Sequence, residues 1–184
     1  MAATDESTGD STGGRTPGDP DDELLTAERD VQARLGDRPL DFASLDAVSN
    51  LYRTAAAVRR RAEAGVLAEQ NLSFGGFTIL WVLWVWGEME TARLAEECSL
   101  AKGTLTGMLT TLEKRQLVER HPIAADRRRV LVTLTPDGEA LIDELFPRFN
   151  RFEGEMTGAL SGDEKRELAR LLRLITTRAA DTEG

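Results

Sequence analysis

Residues 91–135, TARLAEECSLAKGTLTGMLTTLEKRQLVERHPIAADRRRVLVTLT, decide the fold of this 184-residue chain. Leu94, Ala95 and Cys98 recur at helical spacing, and Leu100 sits in the break that follows. Leu105, Met108, Leu109 and Leu112 then repeat at i, i+3, i+4 and i+7, the signature of a second helix with one apolar face. With that stripe turned to a core, Lys102, Gly103, Thr106, Gly107 and Thr110 are left for the outer face. Small, hydroxyl and basic residues suit close approach to a DNA groove, whereas an ordinary surface helix carries Glu/Lys pairs. Residues 117–121 (LVERH) and 130–134 (VLVTL) alternate as strands, and the connecting PIAADRRR places Asp126, Arg127, Arg128 and Arg129 at or just past the tip of a hairpin. Two short helices followed by a basic hairpin form a winged helix-turn-helix pattern, so the expected class is mostly α with a small β wing.

The order LAEECSLAKGTLTGMLTTLEKRQLVER, then DRRRVLVTLTPDG, resembles the MarR family of dimeric winged-helix transcription regulators. The resemblance rests on Asp126-Arg127-Arg128, on Leu134-Thr135-Pro136-Asp137-Gly138 and on the run from Leu112 to Val118, and it covers about residues 45–175. Two departures stand out: Gln116 occupies the turn where the family usually has Gly, and Gly103 and Gly107 stand where Ser or Arg is common. The resemblance implies a homodimer on double-stranded palindromic operator DNA, acting as a ligand-responsive repressor released by a small organic anion or aromatic effector. Its implied DNA contacts are Lys102, Gly103, Thr104, Thr106, Gly107, Thr110, Arg127, Arg128 and Arg129, with Asp126 orienting a wing arginine. The N-terminal extension, VSNLYR (48–53) and LAKGTLTG (100–107) are most similar to the subset that answers to urate or related metabolite anions. Residues 1–40 contain no Trp, which speaks against urate itself. The effector pocket expected from this likeness has Trp81 and Trp84 as walls, Arg93 as anion partner and Glu88 as the charge beside it.

A net charge of −9 looks wrong for a DNA binder until it is divided. Residues 1–40 carry ten acids and four arginines, whereas residues 91–135 carry eight Lys/Arg and five acids. Local charge sets the electrostatic footprint. Residues 1–22 are almost devoid of large apolar side chains and are expected to be disordered. Residues 23–40 hold a short amphipathic helix with Leu24, Ala27, Val31 and Leu35 on one face. Residues 41–69 form a long scaffold helix with an apolar stripe from Leu45 to Val66 and three adjacent arginines, Arg59, Arg60 and Arg61, either solvated or a basic wall for an anion. The DNA-binding domain spans residues 70–135. Ser73 is the expected N-cap of a buried helix containing FTILWVLWVW (77–86), too short to cross a membrane. Trp81 and Trp84 are expected on a shared face and Trp86 elsewhere, with 87–90 a turn and Thr91 the next cap. Residues 136–180 form C-terminal helices, broken or kinked at Pro147, with a capping box at Ser161 and Glu164. Their apolar surplus, with that of the scaffold helix, calls for a dimer interface.

Other chemistry is poorly supplied. A single His and a single Cys leave no disulfide framework, no metal set and no catalytic triad, so neither an enzyme nor a cofactor is expected. The acidic N-terminus is no signal peptide, and a cytoplasmic location is expected. Two alternatives keep a place: a redox regulator acting through Cys98, although peroxide-sensing family members carry their cysteine near the N-terminal helix, and a helical adaptor that does not bind DNA, which leaves the four wing residues unexplained.

Overall fold

A computed structural model describes residues 24–123 and 126–181, and of residues 126–128 the backbone alone. The tail expected to be disordered, 1–22, lies outside the described residues. Among those residues there are seven helices and a three-stranded antiparallel sheet, in the order α1 (Thr26–Leu35), α2 (Phe42–Ala64), α3 (Phe74–Trp86), β1 (Met89–Glu90), α4 (Thr91–Glu97), α5 (Lys102–Lys114), β2 (Val118–Ile123), β3 (Asp126–Leu134), α6 (Pro136–Met156) and α7 (Gly162–Asp181). The mostly helical class with a small wing is the one the sequence gives reason to expect. Two compact units divide within α2, at Arg53 and Thr54.

In the first unit α1 meets the start of α2 through polar side chains. Glu28 is buried; its carboxylate accepts from the Leu25 N–H at 2.6 Å and from Asn50 Nδ2 at 2.6 Å. Gln32 Nε2 donates to Asp46 at 3.4 Å. This corrects the expected face: Ala27 is exposed, and the buried side chain is an acid at the position between the apolar ones. The hydrogen bonds from Leu25 and Asn50 hold the Glu28 carboxyl below its usual range, which keeps it ionised and so able to accept both.

The second unit is built on α3. Ser73 Oγ accepts from the Gly76 N–H at 3.1 Å and Glu63 accepts from the Phe74 N–H at 2.9 Å, so the helix start is capped from two sides. Phe77, Ile79, Leu80, Val82 and Leu83 are buried, and the Phe77 ring stacks on Phe149 of α6 at 4.0 Å. Leu94, Leu105, Leu109, Leu112, Val118 and Val132 close the same core from α4, α5 and the sheet.

Several expectations need correction. The helix expected over 41–69 stops at Ala64, where Gly65 and Leu67 both bond back to the Ala62 carbonyl and turn the chain. The segment before α4 is a strand: Met89 and Glu90 pair with Val132 and Leu131. Thr91 is the first residue of α4 rather than its cap; Glu90 holds the cap position with no side-chain bond there, its carboxylate being taken by Arg129. The hairpin loop is shorter than PIAADRRR, because β2 runs through Pro122 to Ile123 and β3 begins at Asp126. Proline is tolerated because β2 is an edge strand. Finally, α6 continues through Pro147. Ile142 and Leu145 before it and Phe149 and Phe152 after it are buried along one face, and that packing holds the helix across the missing N–H.

One corner explains the Leu-Thr-Pro-x-Gly motif. The Thr135 hydroxyl donates to the Gln116 carbonyl at 2.5 Å and accepts from the Gly138 N–H at 3.0 Å, while the Thr135 N–H donates to the Leu117 carbonyl at 3.2 Å. Pro136 starts α6, where its missing N–H costs nothing. A Cβ on Gly138 would stand far inside van der Waals contact of the Leu117 carbonyl oxygen. The motif therefore ties the end of the wing to the turn after α5.

Candidate nucleic-acid interface

Helix α5 buries Leu105, Leu109 and Leu112 and half-buries Met108, as its periodicity requires. Lys102, Gly103, Thr104, Thr106 and Gly107 are exposed and Thr110 is half-buried. No atom lies near the Cβ positions of Gly103 or Gly107, so neither glycine is required by packing within the chain. The Thr106 hydroxyl donates to the Lys102 carbonyl and Thr110 to the Thr106 carbonyl, both at 2.9 Å; Thr111 does the same to Gly107 at 3.2 Å. Each hydroxyl thereby turns its lone pairs outward and its methyl is fixed. Ala101 caps α5 with no side-chain bond and no acid stands in the first turn, which leaves exposed N–H groups at the positive end of the dipole. Lys102 and Thr106 share a depression of about 300 Å³ with Thr91 and Ala92 of α4.

Two arginines escaped the sequence reading and fix this helix. Arg120 of β2 forms an ion pair with Glu113, and its Nη2 lies 3.5 Å from the Thr110 hydroxyl. The signal was present, since Arg120 alternates in phase with buried Val118 and so faces inward. Arg115, at the C-cap of α5, donates to the carbonyls of Gln70 at 2.8 Å and Asn71 at 3.0 Å. Nothing in its spacing distinguishes it from neighbouring Lys114.

Of the wing residues, Arg129 forms a two-point ion pair with Glu90 that ties β3 to β1. The bond from Arg129 holds the Glu90 carboxyl below its usual range. Asp126, Arg127 and Arg128 open β3, and their side chains, including the orienting role expected of Asp126, lie outside the described residues.

The four residues expected to hold an effector are not gathered in one pocket. Glu88 and Arg93 line a cleft of about 450 Å³ with Glu90, Glu96 and Leu131. Arg93 is exposed and lies 3.5 Å from Glu97. Trp81 packs edge-on against Trp86 at 5.2 Å, while Trp84 lies 5.4 Å from Phe146 of α6. Trp86, expected to point elsewhere, is the ring that meets Trp81.

Cys98 is buried at the end of α4, and burial pushes its thiol up to about 11. The thiolate is the reactive form, so the structure disfavours a redox switch there. Among the described residues no helix is long and apolar enough to cross a membrane and no cluster of His, Cys, Asp and Glu is arranged to hold a metal.

A capped core of three helices, a second helix of the pair presented outward and a hairpin beside it define a winged helix-turn-helix regulator. The profile of the MarR family matches residues 72–130. YwaE, an uncharacterized HTH-type transcriptional regulator of Bacillus subtilis, is 36% identical over 83% of this chain and 91% of its own length. MgrA, an HTH-type transcriptional regulator of Staphylococcus aureus, is 29% identical over 67% of this chain and 82% of its own. This chain belongs to the MarR family of transcriptional regulators, and its relatives are regulators rather than enzymes. Among solved structures, Bordetella bronchiseptica BpsR, described for regulation of its DNA binding by 6-hydroxynicotinic acid, superposes with a TM-score of 0.64 at 28% identity, covering 68% of this chain and 95% of that one. A cysteine-to-serine mutant of E. coli MarR complexed with operator DNA gives 0.66 at 25% identity over 73% and 96% of the two chains.

Proposed function

We propose that the protein is a homodimeric repressor whose two α5 helices enter successive major grooves of a palindromic operator, with half-sites about one helical turn, ~10 bp, apart. The observation that carries the reading is the outer face of α5, where Lys102, Gly103, Thr104, Thr106 and Gly107 are exposed with no acid among them. Lys102 and the free N–H groups at the helix start take phosphate; Thr104, Thr106 and Thr110 meet base edges, and the two glycines let the backbone come close. Arg127 and Arg128 supply phosphate and minor-groove contact from the wing, with Asp126 orienting one of them. Arg129 holds the wing root. The structure of E. coli MarR complexed with operator DNA supports the DNA-binding part of the reading.

The dimer reading is supported by α7, none of whose residues is buried; Leu168, Leu171, Leu174 and Ile175 are all exposed. Release by a small organic anion is supported by the regulation described for BpsR. A hundredfold loss of DNA affinity on release requires a difference of ~2.7 kcal/mol in effector affinity between the free and bound forms.

The test is salt-dependent DNA binding. Replacing Arg127 and Arg128 together by Ala should weaken binding to every sequence and lower the salt slope by about one unit for each phosphate no longer neutralised. Gly107→Arg should change the sequences recovered in a binding-site selection. A double wing variant that binds like the parent at moderate salt, with an unchanged selection profile for Gly107→Arg, would overturn the reading.

A further inference from the structure

The outward row of α5 ends in an acid. Lys102, Thr106, Thr110 and Glu113 recur at i, i+4, i+8 and i+11, which keeps them on one stripe of the helix, with Glu113 about 16 Å along the axis from Lys102. A carboxylate on that stripe repels a phosphate backbone lying beside it. The chain answers it from another element. Arg120 of β2 forms an ion pair with Glu113, and the same Nη2 stands 3.5 Å from the Thr110 hydroxyl. Neither partner is sealed in, the two side chains being 29% and 30% exposed. Buried Leu105, Leu109, Leu112 and Val118 already join α5 and β2 to one core, and an ion pair this exposed adds little to stability. A guanidinium carries several N–H donors in a fixed fork. Here Nη2 alone is engaged, and Nε and Nη1 have no acceptor among the described residues. The pair lines an open depression of about 400 Å³ together with Gln116, Glu119 and His121.

Position decides what the spare donors reach. With α5 in a major groove and the wing in the neighbouring minor groove, the sugar–phosphate strand between the two grooves crosses the junction of α5 and β2. Arg120 stands at that junction, on the strand that follows the turn out of α5. We infer that Arg120 is a phosphate-contacting residue of the DNA interface, and that Glu113 tempers its charge so that the contact forms where the backbone of a fitted site comes close. The guanidinium keeps Glu113 through Nη2 and offers Nε and Nη1 to a phosphate oxygen. The pair is neutral as a whole, so it adds little long-range attraction for arbitrary DNA and raises the ratio of specific to non-specific binding. The inference rests on the regulator reading given above and extends its contact set to β2.

The probes are a duplex recovered by binding-site selection with the parent protein and a random-sequence duplex of the same length, each titrated by fluorescence anisotropy at several salt concentrations. On the random duplex, Glu113→Gln should bind about tenfold more tightly per dimer than the parent. Its gain on the selected duplex should be smaller, so that discrimination falls; equal gains on both overturn the tempering role. Arg120→Gln should lower the salt slope on the selected duplex by about one unit per subunit, and Arg120→Lys, which keeps a charge for the phosphate, should restore most of it. Glu113→Gln with Arg120→Gln separates contact from bulk charge, because it has the net charge of the parent. A slope about one unit lower per subunit supports the contact, whereas the parent's slope would mean that charge alone matters and would overturn it. Urea midpoints of all these variants should stay near that of the parent. A lowered midpoint with an unchanged salt slope makes the pair a structural fastening and overturns the inference. A parent that binds no duplex even at low salt removes the regulator reading, and this inference with it; a parent that binds, with Arg120→Gln binding alike, removes this inference alone.

Discussion

The helix-turn-helix with its wing and the C-terminal helix α7 use similar residues to opposite ends. Leu94, Leu109 and Val132 are each at most 1% exposed, whereas Leu171, Leu174 and Ile175 on α7 are 44–58% exposed. Both regions show clean helical periodicity, so amphipathicity alone does not say whether a face is already covered. The difference lies in connectivity. Within residues 74–156 the buried apolar faces have partners supplied by the same chain: α3 by α6, α5 by β2, and β3 by both β1 and β2, while Trp84, Val85 and Trp86 at the end of α3 stay exposed. Helix α7 has no buried residue and, among the described residues, no partner of comparable extent, which is the condition under which a second copy supplies the core.

The sharpest way to break this contrast is at the self-sufficient end. Gly138→Ala drives a methyl into the Leu117 carbonyl at the corner joining wing and α6. It should cost about 3 kcal/mol or more, read as a lower urea midpoint with an unaltered slope. A variant as stable as the parent would mean that the corner is not rigid. At the other end, Leu171→Asp with Ile175→Asp should leave far-ultraviolet circular dichroism nearly intact and raise the dimer dissociation constant about a hundredfold, a change of ~2.7 kcal/mol, in sedimentation equilibrium. Undisturbed association would move the interface to another face.

A smaller effect of opposite sign is expected at Gln116, whose φ of 56 lies in the left-handed region. A side chain there costs roughly 1–2 kcal/mol that glycine avoids. Part of that is offset by the greater freedom of glycine in the unfolded chain, so Gln116→Gly should gain about 1 kcal/mol in the same denaturation. A loss instead would show that Gln116 makes a contact worth more than the strain. The least effect concerns pH. Glu90 is held below 4.5 by Arg129, so the folded state favours its ionised form. Its contribution to wing stability is full above about 4.5 and disappears as pH falls through the lower, folded value. Amide exchange in the hairpin of parent and Glu90→Gln should therefore differ at neutral pH and converge in acid; a difference that persists in acid would place the stabilisation elsewhere.

How much of this was legible in the sequence follows a physical rule. Features written in local spacing came through: the stripe of α5, the Ser73 cap, and the capping box in which Ser161 N–H donates to Glu164 at 2.7 Å and Glu164 N–H to Ser161 Oγ at 3.3 Å. Features settled by distant partners did not. Strand β1 is two residues long and exists only because β3 passes beside it. The length of the hairpin, masked by Pro122 and three arginines, was set by pairing with residues on the far side of the turn. Pro147 reads as a break until the packing of Phe149 and Phe152 is known. The candidate interface was visible as a face because small residues replaced the usual Glu/Lys pairs. The side chains that hold it, Arg115 and Arg120, were hidden because their acceptors lie in other elements.

The stacking of Phe77 on Phe149 has a consequence for how the chain is made. Residues 77–86, FTILWVLWVW, carry no charge and are strongly β-prone, which matches the composition of segments that self-associate. Their cover comes partly from α6, far downstream. A ribosome adding ~5–20 residues per second leaves that strip without its lid for several seconds after it emerges. Helix α3 has to form early, from its own capped start at Ser73 and Glu63, if the nascent chain is to avoid pairing with a neighbour. Both caps come from residues at or before the start of α3, so they are available before α6 is made.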